Sequence, residues 1–199
     1  MTFKSLPVEQ FLANLASKQP TPGGGAAAAI GASIGSAAAS MAAAYTQRKK
    51  DRVSGAADRA ESLIAALEIS PLLKAADDDA VAYADLQRTW NNDSDNISVE
   101  EKAAIEARAL AIPTKLLEAC HSRILQINDF LPHCNPNITS DAKVGIHQLA
   151  GAARAAYQVS DCEFHRILLG QRVNPSHLVF SSFVLCNQIK LDCAGKLST

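Results

Sequence analysis

Large side chains are the first thing this chain is short of. Aromatic residues make up 5% of its 199 residues, with a single Trp, so no core built around big rings is available. The apolar content is nevertheless 48%, and alanine carries much of it. An interior of that kind fills by bringing backbones close together, which favours tightly packed helices. Net charge is also nearly absent, at -1, so no general attraction to nucleic acid or to anionic lipid is expected. Five cysteines, Cys120, Cys134, Cys162, Cys186 and Cys193, show no CxxC spacing and follow no secretory signal. Reduced thiols in a cytoplasmic compartment are expected.

Catalytic signatures are missing as well. The histidines His121, His133, His147, His165 and His177 have no HExxH or finger spacing, so no metal is assigned. No GK[ST] follows the glycines, and no GxSxG surrounds a serine, which excludes a Walker loop and gives a hydrolase triad no support. Sustained strand alternation between hairpin turns is absent too. The length suits one domain, taken as residues 1–199, and the fold class expected is all-α: a single-domain bundle of six or seven helices.

What is present begins with Pro20-Thr21-Pro22-Gly23-Gly24-Gly25 and a charge-free run to Thr46. Such a run reaches the length of a membrane span, but it is mostly Ala, Gly and Ser, which argues against a membrane. Ile30, Ile34, Met41 and Tyr45 recur at spacings of four, seven and four along one stripe. This predicts a helix buried nearly all round, central in a bundle or at a subunit interface. Helices are also predicted over 7–17, 51–67, 70–90, 98–128 with a kink at Pro113, 140–169, and from Asn174-Pro175 onward. Ser98 is expected to cap the Glu101 amide, and Ser70 to cap a helix with Pro71 at its first position. Residues 91–96 read as a polar loop.

Three glycines feeding a helix N-terminus leave room for an anion or the edge of a pterin, though a tight turn between helices fits the same residues. Arg48, Lys49 and Lys50 at the far end of that helix suit a carboxylate or a polyglutamate tail, or a solvated helix end. Of the adjacent acids Asp77, Asp78 and Asp79, which point in different directions, at least one is expected to face inward.

Taken in order, these segments resemble the cyclodeaminase and methenyltetrahydrofolate cyclohydrolase family of folate enzymes. Phe11-Leu12 through the glycine turn and its Ala-rich helix is similar to the family's leading motif. Asp79 with Ala82-Tyr83, Glu100-Glu101-Lys102, Pro113 and Asn137-Ile138-Thr139-Ser140-Asp141 extend the resemblance over roughly residues 8 to 165. The resemblance implies an all-helical homodimer acting on the one-carbon bridge between nitrogens 5 and 10 of a tetrahydrofolate derivative, polyglutamylated or not. No cofactor beyond that substrate, no nucleic acid and no membrane belong to this expectation. It assigns Asp79, then Asp141, as general acid or base, and Lys49 to the folate carboxylates or an oxygen. Thr21, Pro22, Gly23, Gly24, Gly25, Lys50, Ser140 and Gln158 are the expected binding residues.

The chain departs from the family pattern at Arg48 and Arg52, where a glycine and an aromatic are usual, and at Gln158 and Cys162, where two asparagines flank a valine. Cyclohydrolase is the leading expectation, because the chain carries no attached formiminotransferase. Cyclodeaminase activity, and a weakly active folate-binding or interaction module on the same fold, remain open beside it.

Overall fold

The computed structural model describes residues 2–90 and 97–170; the expected loop at 91–96 and last helix from Asn174 lie outside them. Among the described residues there is no strand. The helices are α1 (Val8–Ala16), α2 (Gly24–Ala44), α3 (Lys49–Val53), α4 (Ala56–Ala66), α5 (Ser70–Arg88), α6 (Val99–Phe130) and α7 (Thr139–Gly170). The all-α bundle expected from composition is what the chain forms.

Local chemistry explains most boundaries. Ser98 accepts the Glu101 amide at 3.1 Å and opens α6, as its sequence pattern predicts. Gly55 adopts φ +76°, a left-handed conformation that splits the expected single helix over 51–67 into α3 and α4. At α5 the N-cap is Ile69, and Ser70 is already helical and makes no cap. Helix α6 continues through Pro113 from Val99 to Phe130.

The centre of the bundle is an antiparallel pair, α2 against α7. A Cβ built on Gly35 would meet the Gly145 carbonyl at 2.9 Å, and one built on Gly145 would meet the Gly35 carbonyl at 2.7 Å. Backbone therefore touches backbone at this crossing, and any side chain there would push the helices apart. Ala28, Ala29, Ala32, Ala39, Ala42 and Ala43 of α2 join Ile146, Leu149, Ala150 and Ala153 of α7 in the core, with Leu117, Ile124 and Ile127 of α6. Ser33 and Ser36 bond back to the Ala29 and Ala32 carbonyls, so their buried hydroxyls are satisfied within the helix.

Of the stripe expected to be buried within the bundle or at a subunit interface, Ile30 packs partly buried against the core, and the other three residues are exposed on the single chain. Ile34 is 56% exposed, Met41 41% and Tyr45 62%, while the small residues face inward. The reason is distance: only Gly, Ala and Ser let α7 approach this closely, so the large side chains are left on the outer face. Helix α2 is long and apolar enough to cross a membrane, yet more than half of that apolar stretch is covered by the rest of the bundle.

Buried Arg123 ties the layers together. Its guanidinium donates to Ser36 Oγ at 2.7 Å, to the Leu67 carbonyl at 3.3 Å and to the Glu68 carbonyl at 2.6 Å, capping the end of α4. Burial lowers its pKa from the ordinary arginine value. At the far end of α2, Asn135 receives Arg48 Nη1 at 2.7 Å and donates to the Tyr45 carbonyl, joining that end to the start of α7.

Candidate active-site cleft

The turn Pro20–Gly23 delivers the chain into α2 with Gly23 as N-cap and no side chain to satisfy the first amides. The Thr21–Pro22 peptide is cis, and Pro22 is buried behind the turn. The missing cap comes from another helix: the Asp79 carboxylate on α5 accepts the Ala26 amide. This contact requires Gly25, because a Cβ there would overlap the Asp79 carboxylate.

The three adjacent acids separate as helical geometry dictates. Asp77 accepts the Phe3 amide at 2.5 Å, Asp78 pairs with Lys74 at 2.6 Å, and Asp79 alone turns to the α2 N-terminus. Asp79, Ala82, Tyr83 and Leu86 then recur along one face of α5 and form one wall of a cleft of about 280 Å³. Gln158, Val159, Cys162 and Glu163 of α7 form the facing wall, and Thr21, Gly23, Gly24 and Gly25 its end. Tyr83 packs edge-on to Trp90, with ring centroids 6.2 Å apart, which stiffens the aromatic side.

Burial is the main reason that the Asp79 carboxyl is pushed up to about 6; the neighbouring charge of Glu163 adds to it, and the Ala26 amide acts in the opposite direction. Such a group exchanges protons near neutral pH, which an exposed carboxylate does not. Gln158 Nε2 lies 3.8 Å from Cys162 Sγ, so the amide at 158 and the thiol at 162 are neighbours on the cleft wall.

Of the residues expected from sequence, the cleft gathers Asp79, Thr21, Gly23, Gly24, Gly25 and Gln158. Lys49, Lys50, Ser140 and Asp141 do not converge with them within one chain. Lys49 and Lys50 follow the far end of α2, and Ser140 and Asp141 lie in the first turn of α7, so both pairs are on the order of 25–30 Å from the cleft by helical rise. The antiparallel α2–α7 pairing places the start of α7 beside the end of α2, and Ser140 there lies 3.3 Å from Asp141. Arg48, at the first family departure, bonds Asp51 at 2.7 Å and holds its carboxyl below the usual range. Glu163, Tyr83, Leu86 and Ala109 are cleft residues that sequence reasoning missed as binding residues. The i, i+4 relation of Tyr83 to Asp79 and of Glu163 to Val159 was the available signal.

The family model described as formiminotransferase-cyclodeaminase matches residues 7–162. The methenyltetrahydrofolate cyclohydrolase of Methylorubrum extorquens is 31% identical over 157 residues, covering 75% of this chain and 74% of that protein. The crystal structure of formiminotetrahydrofolate cyclodeaminase from Thermotoga maritima superposes with a TM-score of 0.74 at 19% identity, covering 96% of this chain and 92% of the other. That last likeness bears on the fold.

Proposed function

This chain belongs to the formiminotransferase-cyclodeaminase family, and on that premise we propose that it is a methenyltetrahydrofolate cyclohydrolase, converting 5,10-methenyltetrahydrofolate to 10-formyltetrahydrofolate. The observation that carries the reading is Asp79: a carboxyl pushed up to about 6, bonded to the α2 N-terminus and lining a cleft. The similarity to the Methylorubrum extorquens cyclohydrolase supports this reaction in particular.

In the proposed chemistry the cationic methenyl carbon lies against Asp79. Water attacks that carbon while Asp79 accepts a water proton, giving a neutral carbinolamine. The bond from carbon to nitrogen 5 then breaks as the carbonyl forms, Asp79 returns its proton to nitrogen 5, and the hydroxyl proton leaves to solvent. One water is consumed and one proton released. Ionisable side chains and water suffice for these steps, and no cofactor beyond the folate is assigned. The volume is near the lower end for ligand pockets, about 300 Å³, and suits the bicyclic head with its tail outside.

The protein is proposed to act as a homodimer. Ile34, Met41 and Tyr45 form an exposed apolar stripe on α2, and a second copy would cover it. Antiparallel α2 pairing across a two-fold axis would carry one protomer's Lys49 and Lys50 toward its partner's glycine turn, where they would meet a carboxylate or polyglutamate tail. The same pairing would bring Ser140 and Asp141 in the same direction. A cytoplasmic location accords with this reading.

A second reading is favoured by the family description: nitrogen 10 attacks the carbon of a protonated formimino group, its proton passes to the leaving nitrogen, and ammonia departs to leave the cationic methenyl carbon. The departures at Gln158 and Cys162 keep a non-catalytic folate-binding role in the comparison. Decay of 5,10-methenyltetrahydrofolate followed by absorbance, with wild type and Asp79→Asn, tests the proposal. Expected is decay well above buffer with wild type and at least a hundredfold loss in the variant, within the usual range for an acid–base group. Buffer-rate decay with both, accompanied by ammonia release from 5-formiminotetrahydrofolate, replaces it with the second reading. Inactivity on both substrates removes the enzyme reading.

A further inference from the structure

Lys49 and Lys50 occupy the first two positions of the five-residue α3 and are exposed. A helix this short does not hold its own shape, and cations at its N-terminus oppose the helix dipole. What fixes it is Arg48, the residue just before. The Arg48 amide and Nε both donate to Asp51 Oδ2, at 2.9 and 2.7 Å, and Nη2 donates to Asp51 Oδ1 at 2.8 Å. Its remaining nitrogen, Nη1, reaches across to Asn135 Oδ1 at 2.7 Å.

Asn135 is held in turn from both sides. Its amide donates to Thr46 Oγ1 at 3.0 Å and its Nδ2 to the Tyr45 carbonyl at 3.1 Å. Its Oδ1 also accepts the Asn137 amide at 3.1 Å, and its carbonyl accepts the hydroxyl of Thr139, the first residue of α7, at 3.1 Å. One network therefore runs from the end of α2 through α3 to the residue before Ser140.

We propose that Arg48 is the positioning residue of the tail-binding cations: it makes no contact with the folate tail, and it locks α3 against the start of α7 so that Lys49 and Lys50 are presented in one fixed arrangement. The proposal rests on the folate reading and its two-fold pairing, in which these lysines reach the tail of a substrate held in the partner's cleft.

The charge of Arg48 is already matched where it stands. Its forked pairing with Asp51 is stronger and more directional than a single contact, and the Asp51 side chain is only 6% exposed. A buried pair of this kind adds little net stability over apolar residues of the same size, so what it supplies here is a defined geometry. The bond to Asn135 carries that geometry to α7. Local stability gives no reason for two adjacent cations at a helix N-terminus, whereas a carboxylate tail does.

The test compares tetrahydrofolate carrying one glutamate with the form carrying five, by equilibrium dialysis on the full chain, with KM and kcat for the two methenyl derivatives beside it. Wild type is expected to bind the pentaglutamate about tenfold tighter, and Arg48→Ala and Arg48→Lys to lose most of that preference, since lysine cannot reproduce the fork. The loss is expected in KM for the pentaglutamate, with kcat within about twofold and the monoglutamate affinity and sedimentation coefficient unmoved. Asp51→Asn separates positioning from direct binding by sign. It keeps every lysine and arginine, and it is expected to lose the preference as Arg48→Ala does. A tighter pentaglutamate in Asp51→Asn makes Arg48 a tail ligand and overturns the proposal. A preference unchanged in Arg48→Lys and Asp51→Asn overturns it too, and these two variants serve where Arg48→Ala does not fold. Loss of monoglutamate affinity, kcat or assembly along with the preference makes Arg48 a merely structural residue, with the same result. A wild type that turns over methenyltetrahydrofolate without preferring the pentaglutamate overturns the positioning role and leaves the reaction standing. A preference lost in Arg48→Lys, in a protein inactive on both folates, upholds the role while removing the reaction.

Discussion

Asp79 and Gly25 share one volume: the Asp79 carboxylate lies where the Cβ of any other residue at position 25 would be. The glycine is therefore required by a partner 54 positions away along the chain, whose carboxylate completes the first turn of α2 through the Ala26 amide. A side chain at 25 would displace the carboxylate that caps the helix and lines the cleft.

Gly25→Ala is accordingly expected to destabilise the protein by about 1–3 kcal/mol, the usual cost of overpacking. In an Asp79→Ala background the same substitution should cost markedly less, because the overlap is gone. Urea unfolding of the four proteins checks this. Strictly additive effects would show that the two residues do not meet.

The pH dependence of stability has a definite sign at Asp79. Its carboxyl ionises near 3.8 when unfolded and at about 6 when folded, so the fold prefers the neutral form. That contribution is complete below about pH 4 and is lost as pH rises to about 6, a change of at most about 3 kcal/mol. Asp79→Asn stays neutral and should gain stability relative to wild type across that window, with a constant difference above it. Unfolding free energies measured from pH 4 to 7 decide it, and a pH-independent difference would contradict the assignment. The proposed base must be ionised, so kcat/KM for methenyltetrahydrofolate should rise through about pH 6 in wild type.

At the α2–α7 crossing backbone packs against backbone. Gly35→Ala and Gly145→Ala each place a methyl against a facing carbonyl, and Gly145→Ala also meets Ala39 Cβ at 2.9 Å. Each is expected to lower stability by about 2 kcal/mol or more. The control Gly151→Ala meets nothing within 4 Å and should be neutral or slightly stabilising, since alanine is the better helix former. Thermal melts by circular dichroism compare them, and equal melting points for all three would refute the close approach.

The outer stripe of α2 predicts a self-association surface. Tyr45→Glu and Met41→Glu replace exposed apolar groups and should leave helix content and melting of the isolated fold within about 0.5 kcal/mol. In sedimentation velocity the wild type should run as a dimer and both variants as monomers. A wild type that is monomeric at every concentration would remove the dimer.

Several parts of this architecture were legible from residue types alone. Ser98 and Glu101 carry their cap in four adjacent residues, and the polar–apolar periods of α1, α5 and α6 are local properties. The glycine turn was legible as a helix entry, and Asp79 as the acid to watch, since three consecutive acids cannot all share one helical face. The helix break at Gly55 was missed, because nothing in the neighbouring composition demands a left-handed residue there.

The inside and outside of α2 were not legible in the same way. A helix of small residues with one stripe of large ones ordinarily buries the stripe, by the hydrophobic effect acting on area. Here the partner α7 presents Gly145 at the crossing, and backbone contact with Gly35 excludes large side chains from that face. The face turned inward was thus set by the partner helix and not by α2 itself.

Composition, periodicity and motif order determined the helical class, the family and the importance of the glycine turn and Asp79, because these depend on short-range sequence and on the order of motifs. Tertiary structure decided which expected residues meet. It brought Glu163 to Asp79 and left Lys49, Lys50, Ser140 and Asp141 at the other end, because α2 and α7 are long, rigid and antiparallel. Distance along such helices becomes distance in space, and only their pairing reveals which ends coincide.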